Sequence, residues 1–293
     1  MKTDPIVSPP VAPTTKLDVE RGVYLPTDER LLGMPELRVR VEDGNYAPFQ
    51  FTNEQGLREG FSVGVMNELA RRLGRTPVYY PGDFSGAFAD VASGEFDIAS
   101  VDATYTLARE LLGLLFTGRP YVTEQDTLIV AKTAAATSIE DVLRSSDYSI
   151  AVQEGAATVP LLTNSHQVPS ERLVQTPTSD DAVRKMADAA DAGQNWAVVT
   201  KLSVVEAVLG AERASGFKAL SGDIYDVIGG NRGPSFQIAS KDSELYSRLQ
   251  LELIAAARDG AFASYGERYG VQTLSAGETA RVPTTRQADL DAR

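Results

Sequence analysis

Cysteine is absent from the chain and histidine occurs once, as His166. Thiolate catalysis, disulfide frameworks, cysteine-bearing zinc sites and iron–sulfur clusters are thereby excluded, and multi-histidine metal centres go with them. What remains is the chemistry of carboxylates, hydroxyls, lysine, arginine and aromatic rings, so neither a metal nor a cofactor is expected. One motif suggests a nucleophile. GFSVG, from Gly60 to Gly64, matches the G-x-S-x-G elbow, in which a strand runs straight into a sharp turn carrying the serine. The residues before it, TNEQGLRE, read as a polar turn, and Ser62 reads as the opening of a helix. The single candidate base, His166, sits in the polar loop TNSHQVPS, so a hydrolase is not expected. Neither GxxxxGK[ST] nor GxGxxG occurs, which leaves a phosphate-cradling loop without support. Trp196, beside an apolar strand, reads as core, and His166 as solvated.

The composition narrows the classes further. At 43% hydrophobic and 23% charged, the 293 residues have a globular make-up with length for two domains or one large one. Lys+Arg number 28 against 40 Asp+Glu, a net charge of −12, which argues against the basic face that duplex or anionic membrane requires. A local basic pocket remains compatible with that balance. No run approaches the ~18 consecutive apolar residues of a membrane helix. The start, MKTDPIVSPPVAPTTKLD, lacks the apolar stretch of a signal peptide and reads as a flexible tether over residues 1–35. Residues 273–293 read as a polar tail.

Between those ends, strand and helix patterns alternate. LRVRV (37–41) alternates with period two, as a half-buried strand does. Val65, Leu69 and Leu73 then share one helical face over residues 61–73, with Gly74 as the stop. TPVYY, FDIASVD, TLIVA, YSIAV, WAVVT and FQIAS read as strands. Helices are expected around 85–92, after Gly155, from a cap at Ser179, over 203–209, and after a cap at Asp242. The alternation implies an α/β architecture with mostly parallel sheets.

Eight separated segments carry a further pattern: YAPF, REGFSVGVMNELARRLG, GDF, FDIASVDATYTLARE, FTGRPY, IAVQEGAAT, GQNWAVVTKLSVVEAVL and ARDGAFASYGERYG. In order and spacing, over about residues 36–271, the chain resembles the family 3 extracellular solute-binding proteins, the polar amino-acid receptors of ABC importers. The resemblance implies a two-lobed periplasmic-binding-protein-like fold joined by two crossovers, with ligand gripped between the lobes. Lobe one would comprise 36–124 and 223–272, and lobe two 125–222. It also implies an extracytoplasmic, monomeric protein that hands a small carboxylate-bearing solute to a membrane permease.

Residue by residue, the resemblance assigns Thr104 and Arg109 to the ligand's α-carboxylate, assisted by the Ala157 N–H. A guanidinium near a helix start can hold a carboxylate through two parallel hydrogen bonds. Tyr46 and Phe84 match positions that sandwich the ligand's side chain, and Asp43 one that meets its distal polar end. Lys201 departs from the pattern, because the family places there an Asp that pairs with the ligand's α-ammonium. Lysine facing an ammonium sets like charge against like in a desolvated cleft. Either Lys201 points away or the ligand brings no ammonium to it. Asp102, where a small residue is usual, could pair with Lys201 or take over the ammonium. An enzyme on the same scaffold is the alternative, since cyclohexadienyl dehydratases belong to this family. Their Asp-x-x-Glu pattern is absent at Lys201, with Glu206 further along. A sensory domain is the third reading.

Overall fold

The computed structural model describes residues 10–117, 122, 124, 126–222, 224 and 235–273. Residues 1–9, the last four residues of FTGRPY, the stretch 225–234 and the tail from 274 lie outside the described residues. The strands among the described residues, in chain order, begin with β1 (Thr14–Asp18), β2 (Val23–Pro26), β3 (Glu36–Glu42), β4 (Phe51–Thr52) and β5 (Leu57–Glu59). Next come β6 (Thr76–Gly82), β7 (Ile98–Ala103), β8 (Leu114–Phe116), β9 (Thr127–Ala131) and β10 (Ser149–Gln153). The last are β11 (Leu173–Thr176), β12 (Trp196–Thr200), β13 (Phe217–Ala219) and β14 (Ser235–Ala239).

These strands form two sheets, ordered β4-β5-β1-β2-β6-β3-β7-β14-β8 and β11-β10-β12-β9-β13. The chain therefore leaves the first sheet after β8, builds the second, and returns as β14. The fold is α/β and two-lobed. Parallel pairing is narrower than the alternation of elements suggests. It is confined to the centres, β6-β3-β7 and β11-β10-β12, while β14 and β9 run antiparallel to their neighbours. A strand arriving from the other lobe is not bound by the helical crossover that enforces parallel pairing.

Residues 10–35 correct the expectation of a tether. β1 and β2 form an antiparallel hairpin that joins β5 on one side and β6 on the other. Val11, Val23 and Leu31 are buried beneath it, and Asp28 receives the Ala12 N–H at 3.0 Å. Proline and threonine masked a pairing that only the waiting edges of β5 and β6 complete.

The helix 61–73 closes on Gly74 in the left-handed conformation, its N–H returning to the Ala70 and Arg71 carbonyls. Ten successive residues from Phe61 are buried, since helices 243–258 and 261–269 cover the face that amphipathicity left outward. The half-buried reading of β3 fails for a related reason. Helix 87–93 lies over its second face, so Arg40 is buried and pairs with Asp90 at 2.7 Å. Helix 179–191 is capped by Thr178, one residue before the expected Ser179, through Thr178 Oγ1 accepting from the Asp181 N–H. The helix after Gly155 is one short turn (Thr158–Pro160) running into a π-helical turn (Leu161–Ser165).

Candidate functional site

The parallel strands of both sheets end facing one another, and their carboxyl ends line a single cleft. Glu42 is the last residue of β3 and Gln153 the last of β10, while Asp102 and Ala103 end β7 and Thr200 ends β12. The carboxyl edge of parallel strands is where α/β sheets bind ligands, because loops and helix N-termini converge there. The lobes touch closely. Gly155, at φ +74, lies against Ser85 of the other lobe, where a Cβ would come 3.0 Å from the serine side chain. Only glycine meets both demands.

Arg109 is 6% exposed and lines the cleft. It sits within helix 107–111, whose cap Thr106 receives the Arg109 N–H on its hydroxyl. Its Nη1 donates to the Thr104 carbonyl at 2.6 Å, and its Nη2 reaches across to the Gly155 carbonyl of the other lobe at 3.1 Å. The guanidinium carbon lies 4.0 Å from the Phe88 ring centre and 5.5 Å from that of Phe84, so two rings pack against it.

Tyr46, Phe84, Asp102, Thr104 and Ala157 also line the cavity. Tyr46 stacks on Phe49 with ring centres 5.2 Å apart. Asp102 adopts φ +52, a left-handed conformation uncommon for a residue with a side chain. Its carboxylate is held from within lobe one, by the Ser62 hydroxyl at 2.5 Å and by the Gln50 amide at 3.4 Å. Gln50 in turn accepts from buried Arg58 at 2.9 Å, and Arg58 also braces the Glu42 and Gly44 carbonyls. Ser62 is thus a buried anchor. A short strand, β5, does precede it, contrary to the turn expected there, yet the serine is 1% exposed and bonded to Asp102. His166 lies in lobe two, within 3.2 Å of the Ile224 carbonyl.

Two expected residues stand elsewhere. Asp43 is exposed and off the cavity lining; the carboxylate that β3 delivers is its neighbour Glu42. Glu42 is 3% exposed, and burial pushes its carboxyl up to about 7 despite the Gln153 amide donating to it at 2.5 Å. Lys201 sits one layer behind the wall at 2% exposure. Its Nζ donates to Asp126 Oδ1 and to Tyr46 Oη, each at 2.7 Å, and no Asp102 contact accompanies them. Burial works against its charge, but Asp126 and Tyr46 raise its pKa well above the ordinary value.

Glu42, Asp126, Gln153, Ser179 and Thr200 were not anticipated as lining residues. Glu42, Gln153 and Thr200 had a readable signal, since each closes a strand of a parallel pattern. Asp126, just before the crossover strand β9, had none. Glu206 is exposed on helix 202–209 and is not part of the lining.

Comparison with known proteins follows the same outline. The sequence model for bacterial extracellular solute-binding proteins, family 3, matches residues 37–272. A cyclohexadienyl dehydratase of Pseudomonas aeruginosa is 34% identical over 82 residues, a match spanning 28% of this chain and 30% of that protein's length. Among solved structures, an ancestral arginine-binding protein bound to arginine superposes with a TM-score of 0.65 at 22% identity, covering 80% of this chain and 97% of that one. A Streptococcus mutans structure, solved for glutathione import via a cystine ABC importer, gives a TM-score of 0.67 at 17% identity, covering 87% and 100%. At such identities these structures establish the fold alone.

Proposed function

The chain belongs to the bacterial extracellular solute-binding proteins of family 3, and from that premise we propose that it is the receptor of an ABC importer, closing two lobes on a small carboxylate-bearing solute outside the cytoplasm. The observation that carries this reading is Arg109. A buried guanidinium lining the cleft, packed against two aromatic rings and bonded to carbonyls of both lobes, is suited to a carboxylate received at the moment of closure. Thr104 and the backbone at Ala157 lie around it. In this reading the protein acts as a monomer and delivers its solute to a membrane permease.

A thermal-shift screen followed by calorimetry tests it. The panel comprises the L-amino acids, dicarboxylates, and 2-oxo and 2-hydroxy acids. A true ligand at 100 times its dissociation constant is expected to stabilise the fold by about 2.7 kcal/mol. Arg109→Ala is expected to abolish the shift. Absence of any carboxylate ligand, or a shift indifferent to Arg109→Ala, would sink the proposal.

The short dehydratase match favours a second reading, an enzyme on this scaffold. The geometry supports it less, because Glu206 lies outside the cleft and Lys201 is engaged by Asp126. Loss of prephenate or arogenate in the presence of the protein would bring it forward.

A further inference from the structure

Where β12 ends, one corner of the cleft already holds a cation. Lys201 Nζ donates to Asp126 and Tyr46, and it lies 5.3 Å and 5.2 Å from the ring centres of Tyr46 and Phe49. A carboxylate, a phenol oxygen and two aromatic faces are the groups by which proteins recognise an ammonium. Here a single lysine engages all four. The other carboxylates along the wall are engaged as well, Asp102 by Ser62 and Gln50, and Glu42 by Gln153.

Beside these engaged carboxylates the wall offers donors. Arg109 supplies N–H groups. The Tyr46 hydroxyl accepts from Lys201, which leaves its own proton for an acceptor. The Thr200 hydroxyl is buried in the lining with no hydrogen-bond partner among the described residues.

We infer that the cleft selects carboxylates bearing an acceptor oxygen, keto or hydroxyl, beside the carboxyl group in place of an ammonium. The inference rests on reading the cleft as a carboxylate site held by Arg109. An ammonium at this corner competes with Lys201 for Asp126 and for both rings. An acceptor oxygen instead satisfies the Thr200 hydroxyl, otherwise buried without a partner among the described residues, and can take the Tyr46 proton, the kind of contact that discriminates between near-isosteric ligands.

Calorimetry on the full chain with pairs differing only at the second carbon decides the matter: L-glutamate with 2-oxoglutarate, L-leucine with 4-methyl-2-oxopentanoate, L-phenylalanine with phenylpyruvate, L-alanine with L-lactate. The pair that binds most tightly is expected to favour its oxo or hydroxy member at least 10-fold. Lys201→Met is expected to swing that preference at least 10-fold toward the amino acid, because its ammonium no longer competes with Lys201 for Asp126, Tyr46 and Phe49. Adding Asp126→Asn is expected to cancel the swing. Should Lys201→Met not fold, the wild-type pairs decide alone. An amino acid that equals or beats its oxo partner, with binding still lost in Arg109→Ala, overturns the inference and leaves the carboxylate reading standing. Binding by no member of any pair, or binding untouched by Arg109→Ala, removes both.

Discussion

Arg109 and Lys201 are both buried, both rest against a pair of aromatic rings, and both reach from one lobe to the other, yet they stand differently toward the cavity. Arg109 lines it, bonded to the Thr104 and Gly155 carbonyls. Lys201 stands behind it, joined to the Asp126 carboxylate and the Tyr46 hydroxyl. Partners account for much of the contrast. A carbonyl oxygen attracts a cation without neutralising it, unlike a carboxylate. A lysine paired with a carboxylate has its field largely cancelled at the cavity. In the proposed reading, the two positive residues at one cleft are a receptor and a strut.

The largest effect is expected from breaking the receptor end. Arg109→Ala should weaken carboxylate binding by about 100-fold or more, since truncating one side of a buried, hydrogen-bonded charge pair costs ~2–5 kcal/mol. Arg109→Lys should recover little of it, because a point charge cannot reproduce the planar fork. Titration calorimetry of the three proteins measures both.

Breaking the strut should register in stability. Lys201→Met leaves the Asp126 carboxylate without its lysine, and a loss of about 3 kcal/mol is expected in denaturant unfolding. Asp126→Asn in the same chain should restore most of it. If the single variant proves as stable as the double one, the ion pair is not what holds the corner together.

A third change separates the two ends. Gly60, at the start of helix 61–73, sits at φ +137 against the Phe49 carbonyl, beside the loop that brings Tyr46 and Phe49 to Lys201. Gly60→Ala should cost about 2 kcal/mol and disturb the Lys201 corner. Quenching of an aromatic probe at that corner, set against the calorimetric carboxylate enthalpy, would show whether the Arg109 end is spared.

The smallest effect concerns Glu42. Its carboxyl keeps a proton up to about 7 in the folded chain, against 4.5 for the ordinary group, because burial disfavours its charge. Between those values the folded state binds more protons than the unfolded one. Stability from this group is therefore present at acid pH and lost as pH rises through that window. Glu42→Gln should flatten the slope between pH 4.5 and 7, and leave it unchanged if Glu42 titrates normally.

Local chemistry explains which parts were legible beforehand. Helix 61–73 carries its own stripe and its own glycine stop, so its limits read directly from the sequence. The eight motifs in register pointed to two lobes, and to Tyr46, Phe84, Asp102, Thr104, Arg109 and Ala157 as a group, all of which line the cleft. Asp43 and Glu42 are adjacent, and successive strand residues point to opposite faces, so a one-residue choice at the end of β3 decided which carboxylate enters. The hairpin at 14–26 was illegible because its partners, β5 and β6, are distant in sequence and its first strand, TTKLD, is mostly polar.

What the sequence determined alone is the inventory and the local order. No cysteine and one histidine left arginine, lysine, carboxylates and hydroxyls to act, and the alternation of strands with helices gave an α/β fold. What only the tertiary structure decided is the electrostatic meaning of those residues. Lys201 looked like a second cation in the cleft until the fold brought Asp126, from 75 positions earlier, within 2.7 Å of it. Charge in a low-dielectric interior is governed by the nearest partner, and nearest partners across two lobes are not written in the order of a chain.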